Sequence, residues 1–305
     1  MPLADAYDYG VPEHLALTPG DFVEVPLGAR RAIGVVWGVV DEGAESAIPE
    51  SRLKDVARRL DAPPLPLENR RLVDWIAGYT LAPRGAVLRM AMSVPEALEP
   101  PKPRIAYVAA PNPPEIRMTP ARQRVLALLD SGLPRSSADI VHETGVTAGV
   151  VTGLHKAGAI HQVQLPASTA LPSPDPAKPG PALSPAQADA VAALRESGDG
   201  FTVTLLDGVT GSGKTEVYFE AIADTLRQGK QALVLLPEIA LGAQWLTRFE
   251  TRFGAQPAGW HSDLTQARRR ETWRAVASGQ ARVVVGARSA LFLPFTNLGL
   301  IIVDE

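Results

Sequence analysis

Cysteine is absent from all 305 residues, which excludes disulfides and any Cys-ligated zinc or iron–sulfur centre within the chain. Only five histidines remain for weak metal binding. No stretch approaches the ~20 uninterrupted apolar residues of a membrane span, and the start, MPLADAYDYG, lacks the basic-then-apolar pattern of a secretory signal. The expected compartment is the cytoplasm. Excess positive charge is missing too. Thirty Lys and Arg against 33 Asp and Glu give a net charge of −3, so any nucleic-acid contact has to come from local basic patches. The run Arg268, Arg269 and Arg270 is one such patch, and taken alone it reads as a solvated helix face. What is present, 46% hydrophobic and 21% charged residues, is ordinary globular composition with room for about two to three domains.

The most informative segment is FTVTLLDGVTGSGKT, Phe201 to Thr215. An apolar run, read as a strand over Phe201–Leu206, leads directly into G-x-x-x-x-G-K-T, and the run EVYFEAIADTLRQG then carries apolar residues at helical spacing up to Gly229. Strand, glycine loop and helix in this order make a phosphate cradle. Gly208, Gly211 and Gly213 let backbone N–H groups face phosphate oxygens around Ser212. Lys214 is placed to reach the β and γ phosphates, and Thr215 supplies a hydroxyl to Mg²⁺. The motif implies a nucleoside triphosphate without saying how its energy is used.

Elsewhere the chain divides by rhythm. Residues 1–95 alternate short β-like runs, DFVEVPLG and AIGVVWGVV, with turns, and then give one helix over Leu67–Thr80. A Pro-rich joint from Pro95 to Arg104 follows. Residues 105–165 read as three short helices and a strand, the first helix starting with Thr119 as N-cap and Pro120 at its first position. That is the pattern of a winged-helix unit, or of a three-helix packing module with no DNA contact. The stretch 166–182, PASTALPSPDPAKPGPA, reads as an exposed linker. Residues 183–305 alternate unbroken apolar strands with helices, as a parallel sheet covered on both faces requires. The expected fold is multidomain α/β: a small β-rich N-terminal module, a winged-helix domain, and an incomplete P-loop lobe of RecA type.

The strand LGLIIV ends in Asp304 and Glu305, where a second carboxylate motif would hold Mg²⁺ and orient the attacking water. The intervening segments follow the order of superfamily 2 helicases. Gln187 in LSPAQADAV resembles the glutamine motif that contacts adenine; LLPEIAL with Pro237 and Glu238 resembles motif Ia, and WHSDLT and VVVGARSALFLPF resemble the later single-strand-contact motifs. Together with AYDYGVPEHL and WIAGYTLAPRGAVL near the N-terminus, the chain resembles the PriA family of replication-restart helicases, also called primosomal protein N′, over nearly its whole length.

The resemblance implies an ATP- and Mg²⁺-dependent 3′-to-5′ DNA helicase that recognises stalled or abandoned forks and starts primosome assembly. Its implied partners are forked DNA with single-stranded and duplex junctions and 3′ ends, other primosome proteins, and single-stranded-DNA-binding protein, with no membrane. It implies that Tyr7, Asp8, Gly28 and Lys54 capture a DNA 3′ end, the Asp8 carboxylate accepting the terminal hydroxyl beside an aromatic for the base. It also implies that Lys214, Thr215, Asp304 and Glu305 serve ATP and Mg²⁺, and that Arg288 and Ser289 contact strand backbone. The zinc module and second motor lobe of that family are expected beyond Glu305, so this stretch by itself is expected to be nearly inert as an ATPase. The alternative from another class is a non-catalytic fork-binding protein using an incomplete motor as a platform.

Overall fold

The computed structural model describes residues 6–39, 52–100, 103–165, 172–196, 200–209, 211–237 and 243–304. In β1 (Phe22–Leu27) the side chains of Phe22, Val23 and Val25 are buried, and the strand pairs antiparallel with β2 (Arg30–Val35) from Phe22↔Val35 to Leu27↔Arg30. Gly28 and Ala29 make the two-residue turn between them, Gly28 at φ +64° as such a hairpin requires. β3 (Arg58–Arg59) joins the other edge, giving the order β2-β1-β3. Helices α1 (Leu67–Thr80) and α2 (Arg84–Ala91) follow, each starting after a proline that presets the entry angle.

Residues 101–169 form a compact unit of their own. Its sheet has the order β5-β4-β6, with β4 (Arg104–Ala109) pairing antiparallel to β5 (Arg135–Ser136) and to β6 (Ile160–Leu165). Three helices complete it: α3 (Pro120–Leu129), α4 (Ser137–Thr144) and α5 (Ala148–Lys156). The ends are chemically specified. The Thr119 hydroxyl accepts from the Arg122 amide at 3.3 Å, Ser136 and Asp139 form a reciprocal capping box, and Gly145 closes α4 in the left-handed conformation. Val125, Leu129, Ile140, Val151, Leu154 and Ile160 fill the core.

The C-terminal lobe carries α6 (Pro185–Glu196), α7 (Lys214–Arg227), β7 (Gln231–Leu235), α8 (Ala243–Phe253), β8 (Ala258–Trp260), α9 (Gln266–Ala277), β9 (Val283–Gly286) and β10 (Leu298–Val303). Its sheet is parallel throughout, in the order β10-β7-β9-β8. Side-chain alternation divides the buried strands between two cores. Ala232, Val234, Val283 and Val285 face Phe219, Ile222 and Phe249 of α7 and α8, whereas Leu233, Leu235 and Val284 join a cluster with Trp273 and Val276 of α9.

That second cluster also contains Phe22, Leu60, Leu65, Ala91 and Leu98, so the N-terminal β-rich region covers the other side of the lobe's sheet. The Trp273 ring meets Phe22 edge-on at 5.9 Å, and Asn69 Nδ2 donates to the Leu293 carbonyl at 3.0 Å. Arg274 donates to the carbonyls of Asp61 and Glu99 at 2.9 and 2.6 Å. Residues 1–100 and 170–305 accordingly make one compact unit, and the change of rhythm near residue 95 is a boundary that the core crosses.

Two stretches differ from expectation. Phe201–Leu206 has strand composition but no regular structure, and Phe201, Val203 and Leu205 are exposed. A buried strand needs partners on its edges, and this run pairs with none among the described residues. The outer edge of β10 is likewise unpaired there, with Ile301 and Val303 exposed. Of the Pro-rich stretch, residues 172–182 are described, and they lie on the lobe rather than free of it. Pro174 is buried, the Asp175 amide donates to the Phe253 carbonyl at 2.8 Å, and the Arg252 guanidinium donates to the Lys178 carbonyl. Proline-rich chain has few amides to satisfy, so a few carbonyl contacts suffice to hold it.

Candidate functional site

Gly213 ends the glycine loop at φ +83° and hands the chain to α7, whose first residues are Lys214 and Thr215. A side chain at Gly213 would be strained and would also collide with the Gln187 amide. Gly211 sits at φ +81°, so two of the loop's glycines adopt the left-handed backbone that aims amides into the loop's concavity. Lys214 Nζ donates to the Gly208 carbonyl at 2.6 Å, and Ser212 N donates to the Val209 carbonyl at 3.1 Å. The loop therefore lies at the positive end of a 14-residue helix, the place where an anion gains both amide donors and the helix dipole.

Gln187 reaches this loop from α6. Its Nε2 donates to the Ser212 carbonyl at 3.0 Å while its Oε1 accepts from the Ser184 amide at 2.8 Å. Ser184 in turn accepts from the Gln187 amide at 3.3 Å, a capping pair that fixes the glutamine's direction.

Asp304 follows β10 and is held in line by its amide, which donates to the Leu235 carbonyl at 3.0 Å. Its carboxylate meets α7 through Tyr218, whose hydroxyl donates to Asp304 Oδ2 at 2.8 Å. The same phenol oxygen accepts from Trp245 Nε1 at 2.7 Å and is hydrogen-bonded with the Thr215 side chain. Burial above all, with the neighbouring carboxylate adding to it, pushes the Tyr218 phenol up to about 12, so it remains a donor across physiological pH. Thr215 and Asp304 thus converge on one tyrosine oxygen. Two hard oxygen donors beside a phosphate loop suit Mg²⁺, which takes one or two protein oxygens and completes its shell with phosphate and water. Among the described residues, no group of three or more His, Cys, Asp or Glu gathers as a protein-only metal cage. Glu305, Glu238 and the loop residue Thr210 lie outside the described residues.

The other segments picked out from the sequence emerge at the same edge of the sheet. Leu236 and Pro237 follow β7, His261 and Ser262 follow β8, and Arg288 and Ser289 follow β9 on a 3₁₀ turn, all at the carboxyl ends of parallel strands where α/β folds bind ligands. Arg288 and Ser289 are exposed, and their turn is tethered by the Ala287 amide donating to the Trp260 carbonyl at 3.1 Å.

At the N-terminal end, Gly10 forms an isolated parallel bridge with Asp55: Gly10 N donates to the Lys54 carbonyl at 3.0 Å and Val56 N to the Gly10 carbonyl at 2.9 Å. Tyr9 donates to the Pro26 carbonyl at 3.0 Å, which ties the same segment to the end of β1 beside Gly28. Tyr7, Asp8, Gly28 and Lys54 are all exposed on segments that these bonds link. Sequence reasoning missed Tyr9, Tyr218 and Trp245. An aromatic at helical or strand spacing looks like core, and only the partner of its polar tip says otherwise.

A family model described as the 3′ DNA-binding domain of PriA matches residues 1–93, and one for DEAD/DEAH box helicases matches residues 184–305. Replication restart protein PriA of Rickettsia felis is 34% identical over 303 residues, covering 98% of this chain and 35% of that protein. PriA of Haemophilus influenzae is 35% identical, covering all of this chain and 43% of its own length. The chain belongs to the PriA family. PriA of Bacillus subtilis adds a stretch of 125 residues at 49% identity, 40% of this chain. The chain spans less than half the length of these PriA relatives.

Proposed function

We propose that this chain supplies the DNA-end-binding module and first motor lobe of an ATP-dependent 3′-to-5′ DNA helicase that acts at stalled replication forks in replication restart. The observation that carries the reading is the phosphate loop at the start of α7, brought to the Asp304 carboxylate through Tyr218 in a chain whose N-terminal region matches a 3′ DNA-binding domain. In this reading Gly208 to Thr215 and Gln187 bind ATP, and Thr215 and Asp304 hold its Mg²⁺. Asp304 and Glu305 serve hydrolysis. When bound, the ion neutralises charge on the phosphates, while Lys214 leaves the Gly208 carbonyl for a phosphate oxygen.

Tyr7, Asp8, Gly28 and Lys54 bind a 3′ terminus, and Arg288 and Ser289 contact strand backbone. Residues 105–165 act as a winged helix on duplex DNA, a reading supported by three short helices, two of them with side-chain N-caps, against a three-stranded antiparallel sheet. Primosome proteins and single-stranded-DNA-binding protein are the proposed protein partners.

Anisotropy titrations of the whole chain with forks ending in 3′-OH or 3′-phosphate test the end-binding half. Asp8→Ala should abolish a preference for 3′-OH, and affinity should fall as salt rises. Equal affinities of the wild-type chain for the two ends would refute it. Lys214→Ala should weaken Mg-ATP binding by about 10- to 100-fold, as loss of a charged hydrogen-bond donor does. Unchanged binding in calorimetry would refute the motor half.

A non-catalytic platform is the second reading. The exposed run Phe201–Val209, with Lys214 turned onto its own loop, favours it. DNA-stimulated phosphate release by a chain extended past Glu305 would decide for the motor.

A further inference from the structure

Tyr218 is 6% exposed, in the second turn of α7, and packs in the cluster of Phe219, Trp245 and Phe249. A hydroxyl in such surroundings is costly unless both its donor and acceptor capacities are used. Both are used, and in one direction only. The Trp245 indole N–H can donate but never accept, so at 2.7 Å it fixes the phenol oxygen as acceptor. The single phenol proton is then directed to Asp304 Oδ2 at 2.8 Å. The apolar cluster keeps water from these bonds, and the Thr215 side chain is a further partner of the same oxygen. One carboxylate oxygen of Asp304 is committed to this contact. Among the described residues, Oδ1 makes no hydrogen bond and is the oxygen left for a cation.

We propose that Tyr218 is a positioning residue for the Asp304 carboxylate, with Trp245 setting the direction of its hydroxyl, so that Mg²⁺ binding at the phosphate loop depends on a chain of two hydrogen bonds running in from α8. The proposal rests on the reading of the loop as an ATP site. Its chemistry is that of a hydrogen bond in the outer shell of a metal: the phenol holds one oxygen so that the other keeps its place. A phenylalanine fills the same volume, so Tyr218→Phe keeps the ring's packing and deletes the hydroxyl's contacts with Asp304, Trp245 and Thr215.

The test is calorimetric binding of ADP to the whole chain, with EDTA and across a Mg²⁺ titration, for wild type, Tyr218→Phe and Trp245→Phe. The expected result is unchanged ADP affinity in EDTA and a rightward shift of the Mg²⁺ dependence on the order of ten-fold in Tyr218→Phe, as for other outer-shell hydrogen bonds. Trp245→Phe should shift it in the same direction by less. The indole N–H resonance lost in Trp245→Phe should move on adding Mg-ADP to wild type and stay in place in Tyr218→Phe. Equal losses with EDTA and with Mg²⁺ would mark Tyr218 as packing only and overturn the proposal. So would a Mg²⁺ dependence matching wild type. If wild type itself shows no Mg²⁺-dependent ADP binding, the ATP-site reading fails, and the proposal with it.

Discussion

Single residues here divide into those whose chemistry is visible in the letters and those whose chemistry depends on what they face. Gly211, Gly213, Lys214 and Thr215 belong to the first group, because a left-handed turn before a lysine at a helix start has few uses besides holding phosphate. Tyr218 and Tyr9 belong to the second, since each is one more aromatic in a periodic run until its hydroxyl is found on Asp304 or on the Pro26 carbonyl. Charge networks are equally hidden. Arg58 donates to Glu24 and to Glu99, both at 2.6 Å, and joins β1, β3 and the segment before residue 100. The Arg58 guanidinium holds both carboxyls below their ordinary value near 4.5. A lowered carboxylate pKa gives stability that is present above the unfolded value and lost as pH falls through the folded one. The contribution should therefore be intact at neutral pH and disappear below about pH 4.5. Arg58→Gln is expected to flatten this part of the acid-unfolding curve by lowering stability modestly at neutral pH, since Arg58 and Glu99 lie at the surface, and to leave the acid end unchanged. Circular dichroism melts from pH 3 to 7 check it. A loss that persists undiminished at pH 3, where both carboxyls are protonated, would contradict it.

Elements were most legible where local chemistry closes them. The spacing of Leu67, Leu72, Trp75, Ile76 and Tyr79 marks the helix at the bounds the structure gives, Leu67–Thr80, and Thr119 with Pro120 starts α3. The strands β3, β4, β5 and β8 escaped notice because they are short or lie in mixed composition, and their partners are distant in sequence. Phe201–Leu206 failed in the opposite direction. Its letters suit a strand, but strand formation needs an edge to pair with, a property of the neighbours and not of the run. Helix α4 offers a clean test of local specification. Ser136 Oγ accepts from the Asp139 amide at 3.1 Å while the Asp139 carboxylate accepts from Ser136 N at 3.3 Å. Ser136→Ala should cost residues 101–169 about 1 kcal/mol, with Ser136→Gly costing less. Amide exchange should then quicken in α4 and leave α7 unchanged. Equal quickening in both helices would mean that the two compact units do not unfold separately.

At the scale of the molecule, the feature that sequence concealed is that the N-terminal β-rich region and the C-terminal parallel-sheet lobe share one core. Unbroken apolar strands β7 and β9 announce a sheet covered on both faces, yet nothing in the letters says that one cover comes from residues two hundred positions earlier. Trp273 is the joint. It is 1% exposed, meets Phe22 edge-on, and directs its indole nitrogen to the Ala91 carbonyl at 3.4 Å. Truncating it removes a large buried ring whose cavity lies between the N-terminal β-rich region and the lobe. Trp273→Ala should therefore destabilise both together by about 3–5 kcal/mol. Lowered stability should appear as one shifted transition, followed alike by loss of 3′-end binding and loss of nucleotide binding. The control is Leu154→Ala, in the core of residues 101–169, which should leave both binding activities at wild-type strength at temperatures below its own transition. Parallel melts read by DNA anisotropy and by a fluorescent ADP analogue make the comparison. Retention of full nucleotide binding in Trp273→Ala after end binding has melted would show that the two regions are held by something other than this core.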